Sequence, residues 1–145
     1  MILLDTNVIS EPWKLTPDAR VLAWIDAQAI DTLYMAAVTV AELRFGIAAM
    51  PFGKRRDTFN RRLEQEVLPL FEGRILPFDL DASKAYADLM VSARDDGKAI
   101  GKAIGKADGY IAATAAAKGL MVATRDTSPF AAAGLTIVNP WGATS

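Results

Sequence analysis

Asp5, Glu42, Asp108 and Asp126 stand out in a chain that contains no histidine and no cysteine. Without histidine, the commonest general acid or base is missing. Without cysteine there is no thiolate nucleophile and no thiolate-ligated zinc. Carboxylate oxygen is left as the reactive group. Clustered carboxylates suit a hard divalent cation such as Mg²⁺ or Mn²⁺. Each of the four acids lies where an apolar, strand-like run ends or where a helical pattern begins, so the surrounding elements decide whether they meet.

Those elements can be read from periodicity. Residues 1–4 form a short apolar run that ends at Asp5, and residues 32–37, 74–79, 120–124 and 135–138 read as further strands. Pro77 weakens the third of them. Between the strands lie helical patterns at 17–28, 39–50, 54–68, 81–95 and 106–118, the last stopped by Gly119. Strands alternating with helices predict βαβ units and a mainly parallel sheet of about five strands. The uninterrupted apolar runs Ile2–Leu4 and Leu120–Ala123 fit central strands covered on both faces. Ligands of such sheets bind beyond the carboxyl ends of the strands, where Asp5 and Asp126 would lie.

Each acid also has a purely structural reading. Asp5 suits a turn or helix cap, Asp108 complements a helix dipole, and Asp126 suits a cap on Thr127-Ser128-Pro129. Thr39-Val40-Ala41-Glu42 matches a capping box, with Glu42 bonding back to the cap. Capping accounts for each acid separately. It does not account for four acids at one sheet edge, where they would repel one another unless a cation neutralised them.

Among the basic residues, Lys54, Arg55, Arg56, Arg61 and Arg62 make a positive stretch that serves either as a solvated helix face or as a phosphate-contacting surface. Arg44 and Arg125, each close in sequence to an acid, would pair with it or contact a phosphate. Trp13, Trp24 and Trp141 read as core or interface residues. A fourfold-spaced run, Gly97-Lys98-Ala99-Ile100, Gly101-Lys102-Ala103-Ile104, Gly105-Lys106-Ala107-Asp108, reads as a flexible basic approach to Asp108.

With 145 residues, 52% of them hydrophobic, the chain is expected to be a single domain over residues 1–145 with a real core. A formal charge of −1 announces no global basic field, so any polyanion would be met by local patches or recognised by shape. The absence of cysteine fits a reducing compartment. The three apolar residues before Asp5 are too few for a signal peptide, and no transmembrane span is expected. A cytoplasmic location follows as the expectation.

Taken in order, several motifs resemble the PIN-domain family. Ile2-Leu3-Leu4-Asp5-Thr6-Asn7 is similar to its opening. Thr39-Val40-Ala41-Glu42-Leu43-Arg44-Phe45-Gly46 is similar to its second acidic motif and Ala107-Asp108-Gly109-Tyr110-Ile111-Ala112-Ala113 to its third. Val122-Ala123-Thr124-Arg125-Asp126 is similar to the fourth, and Val138-Asn139-Pro140-Trp141 to an ending found in one branch. The nearest branch resembles the VapC toxins of type II toxin–antitoxin systems, in particular the FitB-like group.

The resemblance implies a three-layer α/β/α sandwich and a Mg²⁺- or Mn²⁺-dependent endoribonuclease, a hydrolase acting on RNA, with tRNA or rRNA the expected substrate. It further implies a homodimer inhibited by a small antitoxin protein. Asp5, Glu42 and Asp108 match the core metal-binding acids and Asp126 the more variable fourth. Thr6, Asn7 and Thr124 match polar supporting positions. Two departures are visible: a second Gly-Lys-Ala-Ile copy precedes Asp108, and Pro129 stands where the branch often has another acid. Two other readings stay open from the residues alone: a non-catalytic module that binds a partner through its acids, and a metal-dependent phosphatase.

Overall fold

The computed structural model describes residues 1–95 and 106–142. The repeat at 97–104 lies outside the described residues. Five strands, β1 (Ile2–Leu4), β2 (Leu33–Ala36), β3 (Ile75–Leu76), β4 (Met121–Ala123) and β5 (Ile137–Val138), form one sheet in the order β3-β2-β1-β4-β5. Every pairing is parallel, with Leu3 opposite Tyr34 and Val122. The expected mainly parallel sheet is therefore present.

The alternation of strand side chains makes the layers. Ile2, Leu4, Leu33, Met35 and Ala123 face one core, together with Val8, Val21, Leu43 and Leu63. Leu3, Ala36 and Val122 face the other, with Ile111, Ala112, Ala115 and Phe130. Successive residues of a strand point to opposite faces, so a run such as Ile-Leu-Leu must be covered on both. The first face carries α1 (Thr6–Ser10), α2 (Ala19–Ala27), α3 (Ala37–Ala48) and the segment α4 (Lys54–Arg61), which passes through a π-helical stretch (Arg62–Val67) into α5 (Leu68–Leu70). The second carries α6 (Leu80–Asp95), α7 (Lys106–Lys118) and α8 (Thr127–Ala132). This is a three-layer α/β/α sandwich.

The chain winds outward from β1 through β2 to β3, then returns and continues on the other side of β1 through β4 and β5. Because parallel crossovers keep one hand, the reversal of direction moves the later helices to the opposite face. It also makes the β1–β4 boundary the switch point, where the outgoing loops diverge and leave a crevice at the strand carboxyl ends.

Several boundaries differ from the sequence reading. Helix α3 starts at Ala37, with Ala36 as its cap and no side-chain cap bond. Thr39 therefore lies inside the first turn, and the capping box with Glu42 does not form. Helices α1 and α8 lie outside the helical patterns of the sequence. Both are too short to show a periodic face, and α1 is begun by a tertiary residue, Asp5, whose carboxylate accepts from Thr6 N. A 3₁₀ turn, Glu11–Trp13, follows α1 directly, with Pro12 in it.

Candidate active site

Asp5 is the first residue beyond β1, and its N–H donates to Ala123 O across the β1–β4 boundary at 2.9 Å. This continues the parallel ladder past the strand ends and draws the two loops together. The side chain is 2% exposed. Its Oδ1 accepts from Thr6 N at 2.8 Å and its Oδ2 from Thr124 Oγ1 at 2.7 Å. The capping role foreseen for Asp5 is real, but only one carboxylate oxygen serves it.

Thr124 ties the first acid to the fourth. Its single hydroxyl proton goes to Asp5, so the oxygen accepts from Asp126 N at 3.0 Å. Asn7 closes the ring from α1. Its Nδ2 makes long contacts of 3.5 Å to Thr124 Oγ1 and to Asp126 Oδ2, and its Oδ1 accepts from Arg125 N at 3.4 Å.

Thr6 ties the first acid to the second. Its Oγ1 donates to Glu42 Oε1 at 2.6 Å, and Thr39 Oγ1 lies 3.3 Å away. Thr6 has one proton to give and gives it to the carboxylate, so Thr39 completes the chain by donating into Thr6. Thr39 and Thr124 are both fully buried. The sequence reading missed Thr39 as a site residue because it assigned that residue to a cap. Its place one helical turn before Glu42 was the available signal.

Asp108 lies in the first turn of α7, which packs against both α6 and α3. No hydrogen bond ties it to the other acids among the described interactions. Electrostatics does: burial raises its carboxyl above the usual range, and the negative charges of Glu42 and Asp126 add to the rise. For Asp5, burial pushes the carboxyl up to about 6, with Asp108 and Glu42 adding to the rise and the bonds from Thr124 and Thr6 opposing it. Asp108 therefore interacts electrostatically with each of the other three acids, and Asp5 also with Glu42, at one edge of the sheet.

Among the described residues, no group of three acids is close enough to hold a metal ion as placed. The donor chemistry nevertheless fits a hard divalent cation. Every candidate ligand is an oxygen, the acids repel one another, and the most deeply buried has been left with a weakened preference for its charge. Rotation of the Glu42 and Asp126 side chains, one half-buried and the other exposed, would draw the set together as the cation replaced their mutual repulsion.

The candidate basic residues separate into two kinds. Arg44 points to the π-helical stretch after α4, where its Nη2 and Nε meet Glu64 at 2.6 and 3.1 Å. Arg125 is exposed beside Asp126, and its guanidinium carbon lies 4.5 Å from the centre of the Trp141 ring. Trp13 stacks on Phe59 with ring centres 5.7 Å apart, and both Trp13 and Trp24 pack against the first core while staying partly buried. A buried acid outside the predicted set, Glu11, accepts from Asp18 N at 2.9 Å and pairs with Lys14 at 2.9 Å. The Lys14 ammonium, the Asp18 N–H and the charge of Arg125 hold it below the usual carboxylate range.

No helix among the described residues is long and apolar enough to cross a membrane. The sequence profile of the PIN domain matches residues 2–135. The chain is 72% identical over 141 residues to VapC ribonuclease Y4jK of Sinorhizobium fredii, covering 97% of this chain and 98% of that protein. It is 52% identical over 141 residues to toxin FitB of Neisseria gonorrhoeae, with 97% and 99% covered. The crystal structure of FitAcB from Neisseria gonorrhoeae superimposes with a TM-score of 0.91 at 52% identity, over 97% of this chain and 99% of that one. An all-parallel sheet in this order, a carboxylate edge at its switch point and these likenesses agree, and the chain belongs to the PIN-domain family.

Proposed function

We propose that the protein is a divalent-metal-dependent endoribonuclease and the toxin of a type II toxin–antitoxin pair. The observation that carries this is the buried Asp5 carboxyl, pushed up to about 6 by burial and by Asp108 and Glu42, at the edge where a parallel sheet binds its ligands. A fold maintains such an arrangement against its own electrostatics where function requires it. Relatives named as a VapC ribonuclease and a toxin support the substrate class and the role. A solved complex named FitAcB supports a small antitoxin as partner. The cellular setting that goes with this role is the cytoplasm, and the assembly a homodimer.

Asp5, Glu42 and Asp108 would hold Mg²⁺ or Mn²⁺, with Asp126 completing the set. The bound cation supplies an activated water and stabilises charge on the phosphate. Everything else comes from the chain. Thr124 orients the Asp5 carboxylate and Thr6 holds one Glu42 oxygen towards it until the cation draws the acids together. Asn7 links the Arg125 N–H and the Asp126 carboxylate to α1. Arg125 offers a cation to the RNA backbone at the rim. Arg44, a second candidate phosphate contact, would have to exchange Glu64 for the phosphate.

The test is cleavage of a mixed tRNA and rRNA pool by antitoxin-free protein, with Mg²⁺, Mn²⁺ or EDTA, beside Asp5→Asn. Discrete fragments that need the metal and vanish in the variant are expected. A folded, metal-binding protein that cuts no RNA in any lane would return weight to a binding module, and cleavage of small phosphoesters alone to a phosphatase.

A further inference from the structure

Trp141 and Arg125 are brought together by the sheet and by nothing local. Strand β5 pairs with β4 so that Ala123 lies opposite Val138, and Thr124 N donates to Val138 O at 3.0 Å. The two chains then leave the sheet side by side, one as Thr124-Arg125-Asp126 and the other as Asn139-Pro140-Trp141. A tight turn fixes the second segment. Asn139 Oδ1 accepts from Trp141 N at 2.9 Å and Asn139 O from Gly142 N at 3.2 Å. Gly142 follows at φ +104°, a backbone conformation that other residue types rarely adopt.

The indole is 7% exposed and packs in the first core. Its N–H has no hydrogen-bond partner among the described residues. Packing places this ring, and its face is used, with the Arg125 guanidinium carbon 4.5 Å from its centre. Arg20 is paired with Asp18 and Arg44 with Glu64, whereas among the described residues no ion pair occupies Arg125. This holds although Asp126 is its neighbour in sequence and Glu11 is near enough for the two charges to interact. A guanidinium stacked on an aromatic face keeps its in-plane N–H edges available for bidentate phosphate recognition.

We propose that Trp141 is a positioning residue that holds Arg125 flat at the rim of the acidic site, where Arg125 contacts a backbone phosphate of the RNA strand. This deepens the ribonuclease reading and rests on it. The stack solves a problem the acids create. A mobile arginine beside four carboxylates would collapse onto one of them, removing both a ligand and a phosphate contact. Held on the indole, it stays beside the acids without neutralising them and offers positive charge where a polyanion must approach a negative cluster.

The experiment measures binding without cleavage. The full-length Asp5→Asn protein is titrated with a short fluorescently labelled single-stranded RNA of mixed sequence over a range of salt concentrations. Arg125→Ala and Trp141→Leu, each in that background, should both weaken binding by about tenfold at low salt and reduce the slope of log affinity against log salt by about 0.7, the value for one phosphate contact on a single strand. Trp141→Tyr should restore the slope, and the double variant should bind no worse than Arg125→Ala alone. Trp141→Leu will also lower thermal stability, but a merely structural role would not change the salt slope of the folded protein. An unchanged slope in Arg125→Ala, or a Trp141→Leu slope equal to that of its parent, would overturn the proposal while leaving the ribonuclease reading intact. An Asp5→Asn parent that binds no RNA would overturn both.

Discussion

Replacing Asp5 by asparagine should stabilise the metal-free protein at neutral pH while abolishing cleavage. The carboxyl is 2% exposed and pushed from 3.8 up to about 6, first by burial and then by the charges of Asp108 and Glu42. The gap between those values corresponds to about 3 kcal/mol against the ionised folded state. The folded protein holds this proton more tightly than the unfolded chain. Stability is therefore greatest below about pH 3.8, declines as pH rises towards about 6, and is fully reduced above that. Asparagine removes the ionisation but gives up one accepted bond. Oδ1 takes Thr6 N and Oδ2 takes Thr124 Oγ1, and an amide nitrogen cannot accept either, a loss of about 1 kcal/mol. The net gain is about 2 kcal/mol at about pH 7.5, or roughly 5–10 °C in Tm for a domain of this size, falling to about zero at about pH 4.5. Thermal unfolding followed by circular dichroism, with EDTA present and both proteins scanned at the two pH values, measures it. An Asp5→Asn protein less stable than its parent at the higher pH, or a difference that does not shrink on acidification, would refute the electrostatic account of the site.

Thr124→Val should lower stability by about 1–3 kcal/mol and cut cleavage at least about tenfold, because it removes the donor to Asp5 and the acceptor for Asp126 N together; Thr124→Ser should retain most of both in parallel melting and cleavage assays. Adding Mg²⁺ or Mn²⁺ should raise the Tm of the parent, since the cation relieves the repulsion among the acids, and raise that of Asp5→Asn much less; equal shifts would place the binding elsewhere. Arg44→Ala should leave cleavage within about twofold and cost less than about 1 kcal/mol, because its pair with Glu64 is largely exposed; a tenfold loss of cleavage would instead give Arg44 the phosphate. Gly119→Ala should lower stability by about 1 kcal/mol, read by urea denaturation, because the residue ends α7 at φ +67°, with open space around it and only the backbone to strain.

What the amino-acid order determined is whatever depends on short-range pattern. Apolar runs such as Ile2–Leu4 demanded burial on both faces, and their alternation with helical periods left a parallel sheet as the economical arrangement. The acids at the ends of those runs followed from the same pattern, because in such a sheet the strand ends and the helix starts share an edge. What depends on contacts between distant residues was not legible. Thr39-Val40-Ala41-Glu42 satisfies a local capping rule, yet tertiary packing starts α3 two residues earlier and gives both polar side chains to a chain that runs through Thr6. The five-residue α1 is too short to declare itself by period and exists because Asp5, held by β4, caps it. Trp141 read as core, and it is core. Only the pairing of β5 with β4 brings its free face under Arg125. The sequence names the carboxylates because their chemistry is carried by residue type. The fold decides which hydroxyl, amide and aromatic face each charge meets, because those partners lie in segments that only the sheet makes neighbours.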